Sequence, residues 1–364
     1  VKNACGTPCM YNPLLDLRKP ELRVLDIGNS YTGDATHYIK EIMAGCGVTP
    51  PDRWSMPEDM ALVCAIRSGG SWKNWFDILH DADTNGYDIY KSFGGLSVSI
   101  KGSDNGSSGT YKAGDGSGFR HLLENNTFDL ILIHPVSQAA PYSELWENES
   151  NNGYLSKLIR LLRIYQPQAT IGSYLVHSYS ESNTSNTEGS SLARWQKIAD
   201  GVKRLRENYG IDFVIPYGTA IQNLRTSSLN NAPYDLTEDG LHSASGISDY
   251  TAACCYYQAL IAPRYGRSVL GCTARIDQGT LNAENESRNI AAEYRGSAKA
   301  VTDATARVCQ MAAFLACQNW YKVQNPEDFL TSEYMDVQAT PLRSTVNTEI
   351  RPIDKATINS IINK

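Results

Sequence analysis

The chain has 364 residues, of which 41% are hydrophobic and 20% are charged, as in globular proteins with a sizeable core. Its formal net charge is -6, so it lacks the basic excess that marks proteins binding nucleic acid or acidic membranes. No apolar run approaches the roughly 20 residues that a membrane span requires. We therefore expect no nucleic-acid partner and no membrane span, and the sequence leaves the oligomeric state open.

The start of the chain has few periodic apolar positions, and residues 1–20 are predicted to form an N-terminal arm. The first residue is Val1 rather than Met, so we interpret the chain as a mature or trimmed form. We expect a periplasmic or secreted protein whose signal peptide is absent from the sequence. Nine cysteines are present, but none of them form paired Cys-x-x-Cys motifs, which argues against a zinc site. The spacing of Cys5 and Cys9 permits a disulfide without establishing it.

The first predicted strand covers residues 22–27, a short and mostly apolar run. Gly28, Asn29 and Ser30 then break the run, and helical spacing of apolar residues follows from about Asp34. This arrangement places the serine hydroxyl at the carboxyl end of a strand, where open α/β sheets bind ligands. A serine at this position can act as a nucleophile, although many serines in such turns only cap a helix.

The second predicted strand covers residues 61–66 and ends in a Gly69-Gly70 pair, which permits close approach of the backbone to a ligand. Trp72 follows directly and is the aromatic residue that we expect at the site. Residues 83–118 alternate polar and apolar positions among many Gly, Ser, Asp and Asn. They predict a hairpin excursion over the sheet.

The middle of the chain alternates apolar strand patterns with amphipathic helix patterns, which predicts a parallel sheet with helices on both faces. Right-handed crossovers make this a three-layer, doubly wound α/β domain. The predicted strands are residues 128–135, 169–176 and 211–216, and the predicted helices are residues 155–165 and 192–209.

The C-terminal third continues with helical patterns. A short helix is predicted at residues 220–229, a buried helix at 250–260, and two more helices within 286–321. The predicted organisation is a main domain over 21–265, a helical extension packed on it over 266–330, and an extended tail over 331–364.

A second polar motif, Asp239-Gly-Leu-His242, lies far from Ser30 in the sequence. An unaided serine hydroxyl is a poor nucleophile, and a histidine that takes its proton typically contributes about 10²–10⁴-fold. His242 is the best candidate of the six histidines, because Asp239 lies close enough in the same loop to orient it. The alternative is an ordinary surface loop with a helix cap.

The two motifs together resemble those of the SGNH hydrolases, also called GDSL-type esterases. The first block reads Asp26-Ile-Gly-Asn-Ser30, and the second is the Asp239/His242 block. The similarity is greatest to a bacterial branch of unknown function that carries IGNS and DGxH blocks, and it covers roughly residues 22–262. The resemblance implies a flavodoxin-like three-layer fold with extra C-terminal helices. It also implies a Ser30, His242 and Asp239 triad that needs no metal or other cofactor.

The resemblance also implies donors for an oxyanion hole. The first is the backbone N–H of Ser30, and the second is a glycine N–H after the second strand, for which we choose Gly70. The third family donor is usually an asparagine after the third strand. This chain has His134 there, with Gln138 a few residues on, so either residue is a candidate donor.

Three further residues are predicted to contact substrate, together with Trp72. His177 ends the fourth strand and points toward the same sheet edge, although a structural role is an equal alternative. Gln222 and Arg225 lie on the short helix before the Asp239 loop and could hold a polar substrate, with surface solvation as the alternative.

The leading hypothesis is a serine esterase that hydrolyses an acyl ester, with an acylated carbohydrate as the substrate that the resemblance implies. One alternative is a carbohydrate-binding protein that retains the fold with weakened chemistry, motivated by His134 in place of asparagine. Another alternative is an acyltransferase.

Overall fold

The strands and helices follow the predicted alternation. The computed structural model describes residues 17, 19–48, 59–66, 72–73, 75–76, 87–91, 109–111, 122–124, 126–142, 154–211 and 213–331. The strands are β1 (Leu22–Gly28), β2 (Met60–Ile66), β3 (Tyr87–Lys91), β4 (Gly109–Tyr111), β5 (Leu130–Ile133), β6 (Thr170–Tyr174) and β7 (Phe213–Ile215). The helices are α1 (Ser30–Thr36), α2 (Ile39–Gly45), α3 (Tyr154–Tyr165), α4 (Ser191–Tyr209), α5 (Tyr217–Arg225), α6 (Ile247–Tyr256), α7 (Ala262–Tyr265), α8 (Gln278–Ser287) and α9 (Asp303–Gln318).

The strands form one sheet in the order β4-β3-β2-β1-β5-β6-β7. Five consecutive strands, β2, β1, β5, β6 and β7, pair in parallel, and β1 lies between β2 and β5. Strand order therefore reverses direction at β1, which places the carboxyl end of β1 at a crevice typical of ligand sites. The predicted three-layer α/β class is confirmed.

The segment that was predicted to lie over the sheet instead contributes to its edge. β3 pairs with β2 in antiparallel fashion, and β4 pairs with β3 in the same way. The described parts of residues 83–118 thus form the predicted hairpin, and they lie at the edge of the sheet rather than over it. An unpaired β2 would leave an exposed row of backbone donors and acceptors, and antiparallel pairing with β3 covers that row.

Two helix boundaries also differ from the predictions. The helix after β1 begins at Ser30 rather than near Asp34, because the Asn29 side chain accepts a hydrogen bond from the Tyr31 N–H at 3.0 Å and caps the helix. In the C-terminal part, the first of the two helices is Gln278–Ser287, which lies mostly before the predicted 286–321 segment. Only Arg295–Ser297 is helical, as a 3₁₀ turn, between that helix and α9.

Apolar side chains pack on both faces of the sheet. Leu25 and Ile27 of β1 belong to one cluster together with α3, and Val24 belongs to a second cluster together with α1, α2, α5, α6 and α9. This alternation along β1 is the period-2 pattern of a strand covered on both sides. α9 contacts α5 and α6 directly, and the Asn223 amide donates to the Ala312 carbonyl at 3.0 Å. The C-terminal extension thus covers helices of the main domain.

β1 carries a buried carboxylate beneath the turn at Ser30. Asp26 is fully buried and accepts hydrogen bonds from the hydroxyls of Tyr174, Tyr256 and Thr32. Burial raises the pKa of Asp26 to about 7 against the opposing effect of these hydrogen bonds. The end of β1 is therefore anchored by a polar network as well as by apolar packing.

Gly28, the last residue of β1, packs closely against the side chains of His134 and Thr32. A Cβ atom there would lie 2.0 Å from His134 Nε2 and 2.2 Å from Thr32 Oγ1. Gly28→Ala is therefore expected to lower the free energy of unfolding by about 1–3 kcal/mol, as overpacking does. Urea unfolding followed by circular dichroism measures this change.

Gly33→Ala is the matched control, because among the described residues, apart from its chain neighbours and the backbone of its own helix, no atom lies within 4 Å of the Cβ that it would add to α1. This variant should be as stable as the wild type, or more stable by up to about 1 kcal/mol, since alanine favours the helix. Equal effects of the two substitutions would contradict the close packing at Gly28.

Candidate active site

Ser30 is the first residue of α1 and is exposed to solvent at the carboxyl end of β1. Asn29 has an extended backbone (φ -138°) and its side chain caps the helix, so the chain turns sharply between strand and helix. The N–H groups of a first helical turn have no carbonyl partner within the helix. The Ser30 N–H is therefore suited to stabilise negative charge beside its own hydroxyl.

Three predicted residues come together at this turn. Ser30 Oγ lies 2.9 Å from His242 Nε2, although 212 positions separate the two residues. His242 Nδ1 lies 2.7 Å from Asp239 Oδ2. Both distances fall within hydrogen-bonding range, and together they give the order hydroxyl, imidazole, carboxylate that activates a serine.

The loop between Asp239 and His242 is shaped by the Asp239 carboxylate itself. Its Oδ1 atom accepts hydrogen bonds from the backbone N–H of Leu241 at 2.8 Å and of His242 at 2.7 Å. Gly240 has φ +84°, a left-handed conformation that glycine adopts without strain. The carboxylate is thus held in place by its own loop while its other oxygen faces the imidazole.

The surroundings of His242 favour its charged form. Burial on its own lowers the pKa of His242, but the hydrogen bond to Asp239 and the nearby carboxyl groups of Asp34 and Glu238 outweigh burial and raise the pKa to about 9. For Asp239, burial on its own raises the pKa. The hydrogen bonds from His242 and Leu241 outweigh burial, so the pKa of Asp239 is lowered overall. The pair is therefore arranged to stabilise an imidazolium next to a carboxylate.

A second group of carboxylates lies behind His242, and the sequence reasoning missed it. Asp34 of α1 is buried, and its Oδ2 accepts a hydrogen bond from the Ser243 N–H at 3.3 Å. Burial and the adjacent Asp249 raise the pKa of Asp34 well above its usual range. Burial also raises the pKa of Glu238 to about 7, against the opposing charge of Arg288. Asp34 lies one helical turn after Ser30, which is the signal that could have found it.

His177 has the structural position that the sequence left as an equal alternative to lining the pocket. The residue is 1% exposed, and its Nε2 lies 2.8 Å from the carbonyl oxygen of Leu241. Its ring also packs on Tyr31, with the ring centroids 4.3 Å apart. The structure therefore places His177 beneath the Asp239–His242 loop rather than at the surface.

The two candidates for the third oxyanion donor differ in position. His134 is 1% exposed, and its Nε2 lies 2.9 Å from Thr32 Oγ1 on the inner side of α1. His134 is therefore turned toward the interior, and its role as an oxyanion donor stays a prediction. Gln138 is exposed in the turn after β5, and its role stays a prediction. Gly70 lies outside the described residues.

The remaining predicted contacts to substrate are buried side chains. Trp72 is 5% exposed and belongs to the apolar cluster on the α3 face of the sheet. Gln222 is buried and accepts a hydrogen bond from Ser178 Oγ at 3.3 Å. Arg225 is also buried, and it donates to the Asp235 carbonyl at 2.9 Å and to Ser178 Oγ at 2.7 Å. In this structure these three side chains hold core and loops together, and their contact with substrate stays a prediction.

Within the described ranges, no cluster of three or more His, Cys, Asp or Glu side chains has the arrangement of a metal site. Among the helices that the structure describes, none combines the length and the apolar character needed to cross a membrane.

Comparisons with known proteins bear on the family and the fold. A family model described as a domain of unknown function (DUF4886) matches residues 122–292, a range that contains Asp239 and His242 but not Ser30. No curated protein matches the sequence. The chain is similar to a DUF4886 family protein from Bacteroides uniformis whose crystal structure was determined at 1.50 Å resolution. The two share 21% sequence identity with a TM-score of 0.58, over 85% of this chain and 99% of that chain. This likeness shows a common α/β fold.

Proposed function

We propose that the protein is a serine hydrolase that cleaves an acyl ester. The observation that carries the proposal is the continuous arrangement of Ser30, His242 and Asp239, with 2.9 Å and 2.7 Å between successive polar atoms. The nucleophile is exposed and the imidazole is half-buried, so an ester can approach the hydroxyl while the base is shielded. A serine that only capped a helix would not need a histidine and a carboxylate aligned behind it.

In the first step, Ser30 Oγ attacks the ester carbonyl carbon, and His242 Nε2 accepts the hydroxyl proton. The carbonyl oxygen becomes an oxyanion, which the Ser30 N–H stabilises from the start of α1. Asp239 stabilises the imidazolium and keeps its Nδ1–H directed at the carboxylate. The tetrahedral intermediate then expels the alcohol, which takes its proton from His242, and an acyl group remains on Ser30.

In the second step, water attacks the acyl-serine ester and gives its proton to His242. The second tetrahedral intermediate breaks the bond to Ser30 Oγ, which takes back the proton from His242. The products are a carboxylic acid and the free enzyme. The proton transfers between Ser30 and His242 need only the 2.9 Å contact between Ser30 Oγ and His242 Nε2.

The protonation state of His242 sets the pH at which this mechanism operates. A histidine with a pKa of about 9 is mostly protonated at neutral pH and cannot accept the serine proton. The pH dependence of the reaction should therefore have an ascending limb that lies above the ordinary histidine pKa.

The substrate that we propose is an acyl ester on a carbohydrate. This part of the proposal is supported by the resemblance to SGNH hydrolases in the Ser30 and Asp239/His242 blocks. Short acyl esters and acetylated sugars are therefore the substrates for a first assay.

Ser30→Ala is expected to lower the hydrolysis of short acyl esters by roughly 10⁴–10⁶-fold, because no other group replaces the nucleophile. The serine lies at an exposed helix start, so circular dichroism and the thermal midpoint should stay close to those of the wild type. Ser156→Ala is a control, because Ser156 lies on α3, and it should retain full activity. Unchanged turnover by the Ser30 variant would reject the proposed nucleophile.

Asp239→Asn is expected to lower the pKa of His242 from about 9 toward 6.5 or below, because the variant loses the carboxylate that faces Nδ1. NMR titration of the imidazole resonances measures this change. Ester hydrolysis should fall by about 10³–10⁴-fold at the same time.

Asp303→Asn is the charge-matched control, since Asp303 has a 97% exposed side chain that pairs with Arg275. It should leave both the His242 pKa and the activity unchanged. The carboxylate would have no part in setting the imidazole charge if Asp239→Asn titrated like this control.

A further inference from the structure

The carbonyl group of Leu241 joins three elements of the site. Its oxygen lies 3.1 Å from the Tyr31 hydroxyl and 2.8 Å from His177 Nε2. The Leu241 carbonyl carbon is bonded to the backbone nitrogen of His242, so both contacts act on the peptide that carries the base. A carbonyl oxygen has two lone pairs, and these two donors can occupy both.

Tyr31 is suited to donate this hydrogen bond. It directly follows Ser30 in α1 and is 1% exposed, and burial raises the pKa of its hydroxyl well above the usual value, so the hydroxyl keeps its proton. The ring packs on His177 and meets the His242 ring edge-on, with centroids 6.0 Å apart. The residue thus connects the nucleophile's helix with the base's loop.

His177 is held in the form that donates from Nε2. The Leu241 oxygen can only accept a hydrogen bond, so Nε2 must carry the proton. Burial, together with the positive charge of Arg225, lowers the pKa of His177 to about 3. The ring is therefore neutral throughout the pH range in which His242 titrates, and its single N–H is directed at the carbonyl.

A third contact fixes the other side of His242. The Ser243 N–H donates to Asp34 Oδ2 of α1 at 3.3 Å. α1 therefore contacts the peptide groups before and after His242, through Tyr31 and Asp34. These contacts are independent of the Ser30–His242 hydrogen bond, which is made by groups that move protons during the reaction.

We propose that Tyr31 and His177 are positioning residues, which hold the Leu241–His242 peptide so that the imidazole stays in line between Ser30 and Asp239. The inference rests on the proposed function and adds to it two residues whose hydrogen bonds act on the backbone of the loop rather than on the atoms that exchange protons. The two donors act on the same acceptor from different elements, α1 and the segment that follows β6.

The test compares four variants with the wild type. Tyr31→Phe removes one hydroxyl and retains the ring, and His177→Leu removes the second donor. His177→Gln offers an amide N–H in place of Nε2–H. Tyr257→Phe is the matched control, because its hydroxyl also donates to a backbone carbonyl, that of Arg267 at 2.9 Å. Circular dichroism and urea unfolding establish which variants are folded.

Two readouts are measured on each folded variant. The first is the rate of Ser30 labelling by a fluorophosphonate, together with kcat and KM for a short acyl ester. We expect Tyr31→Phe and His177→Leu to slow labelling and kcat by about 10–100-fold with KM changed less than about 3-fold, as a misplaced catalytic group does. His177→Gln should recover most of the rate, and Tyr257→Phe should match the wild type.

The second readout is the NMR titration of His242, which does not require activity. Loosening the loop should weaken the Asp239–His242 hydrogen bond and lower the pKa of His242 in Tyr31→Phe and His177→Leu, but not in Tyr257→Phe.

Three outcomes would contradict part of the account. Wild-type rates and an unshifted His242 titration in Tyr31→Phe and His177→Leu would overturn the inference. Equal losses in His177→Gln and His177→Leu would also overturn the donor role of His177. If wild-type Ser30 neither reacts nor hydrolyses ester while the titrations shift as expected, the proposed function fails and the positioning role stands.

Discussion

The contact between the start of α1 and the loop from Asp239 to Ser243 is the constraint on which the site depends. The two segments are more than two hundred positions apart, and they meet through Ser30–His242, Tyr31–Leu241 and Asp34–Ser243 hydrogen bonds. Because three residues of one helical turn contact the same loop, a shift of α1 by even one residue would break all three contacts. The cap at Asn29, which makes the helix begin at Ser30, sets that register.

The layer below this contact contains four buried polar or charged side chains. Asp26, His134, His177 and Arg225 are all nearly inaccessible to solvent. A buried polar group is costly unless it is hydrogen-bonded, and each of these four has hydrogen-bond partners on other elements. Such a network tolerates little displacement, so it fixes the strand ends and loops that carry the exposed nucleophile. The buried hydrogen bonds thus fix the position of the exposed Ser30 hydroxyl.

The strands of the parallel sheet could be predicted from the sequence because each is a short apolar run bounded by polar or turn residues. The second strand, for example, was placed at 61–66 and is Met60–Ile66. The triad residues could be found because their types and spacing match the chemistry, and the structure brings Ser30, His242 and Asp239 together. Their roles stay a prediction.

The other site residues could not be placed in this way, because side-chain direction depends on neighbours that are distant in sequence. His134 turns inward into the space left by the missing side chain of Gly28. Gln222 and Arg225 are buried against Ser178 and, for Arg225, the Asp235 carbonyl, and no local pattern shows that these segments pack on their helix. Tyr31 and Asp34 were missed because their partners belong to the Asp239–Ser243 loop.

The most direct test of the central claim is the pH dependence of covalent labelling by a fluorophosphonate, with the modified peptide identified by mass spectrometry. The account predicts a single modified residue, Ser30, and a labelling rate that rises with pH toward about 9 as His242 loses its proton. A chain that stays unlabelled at every pH, or one labelled at Ser30 at a rate independent of pH, would contradict the claim that His242 activates this serine.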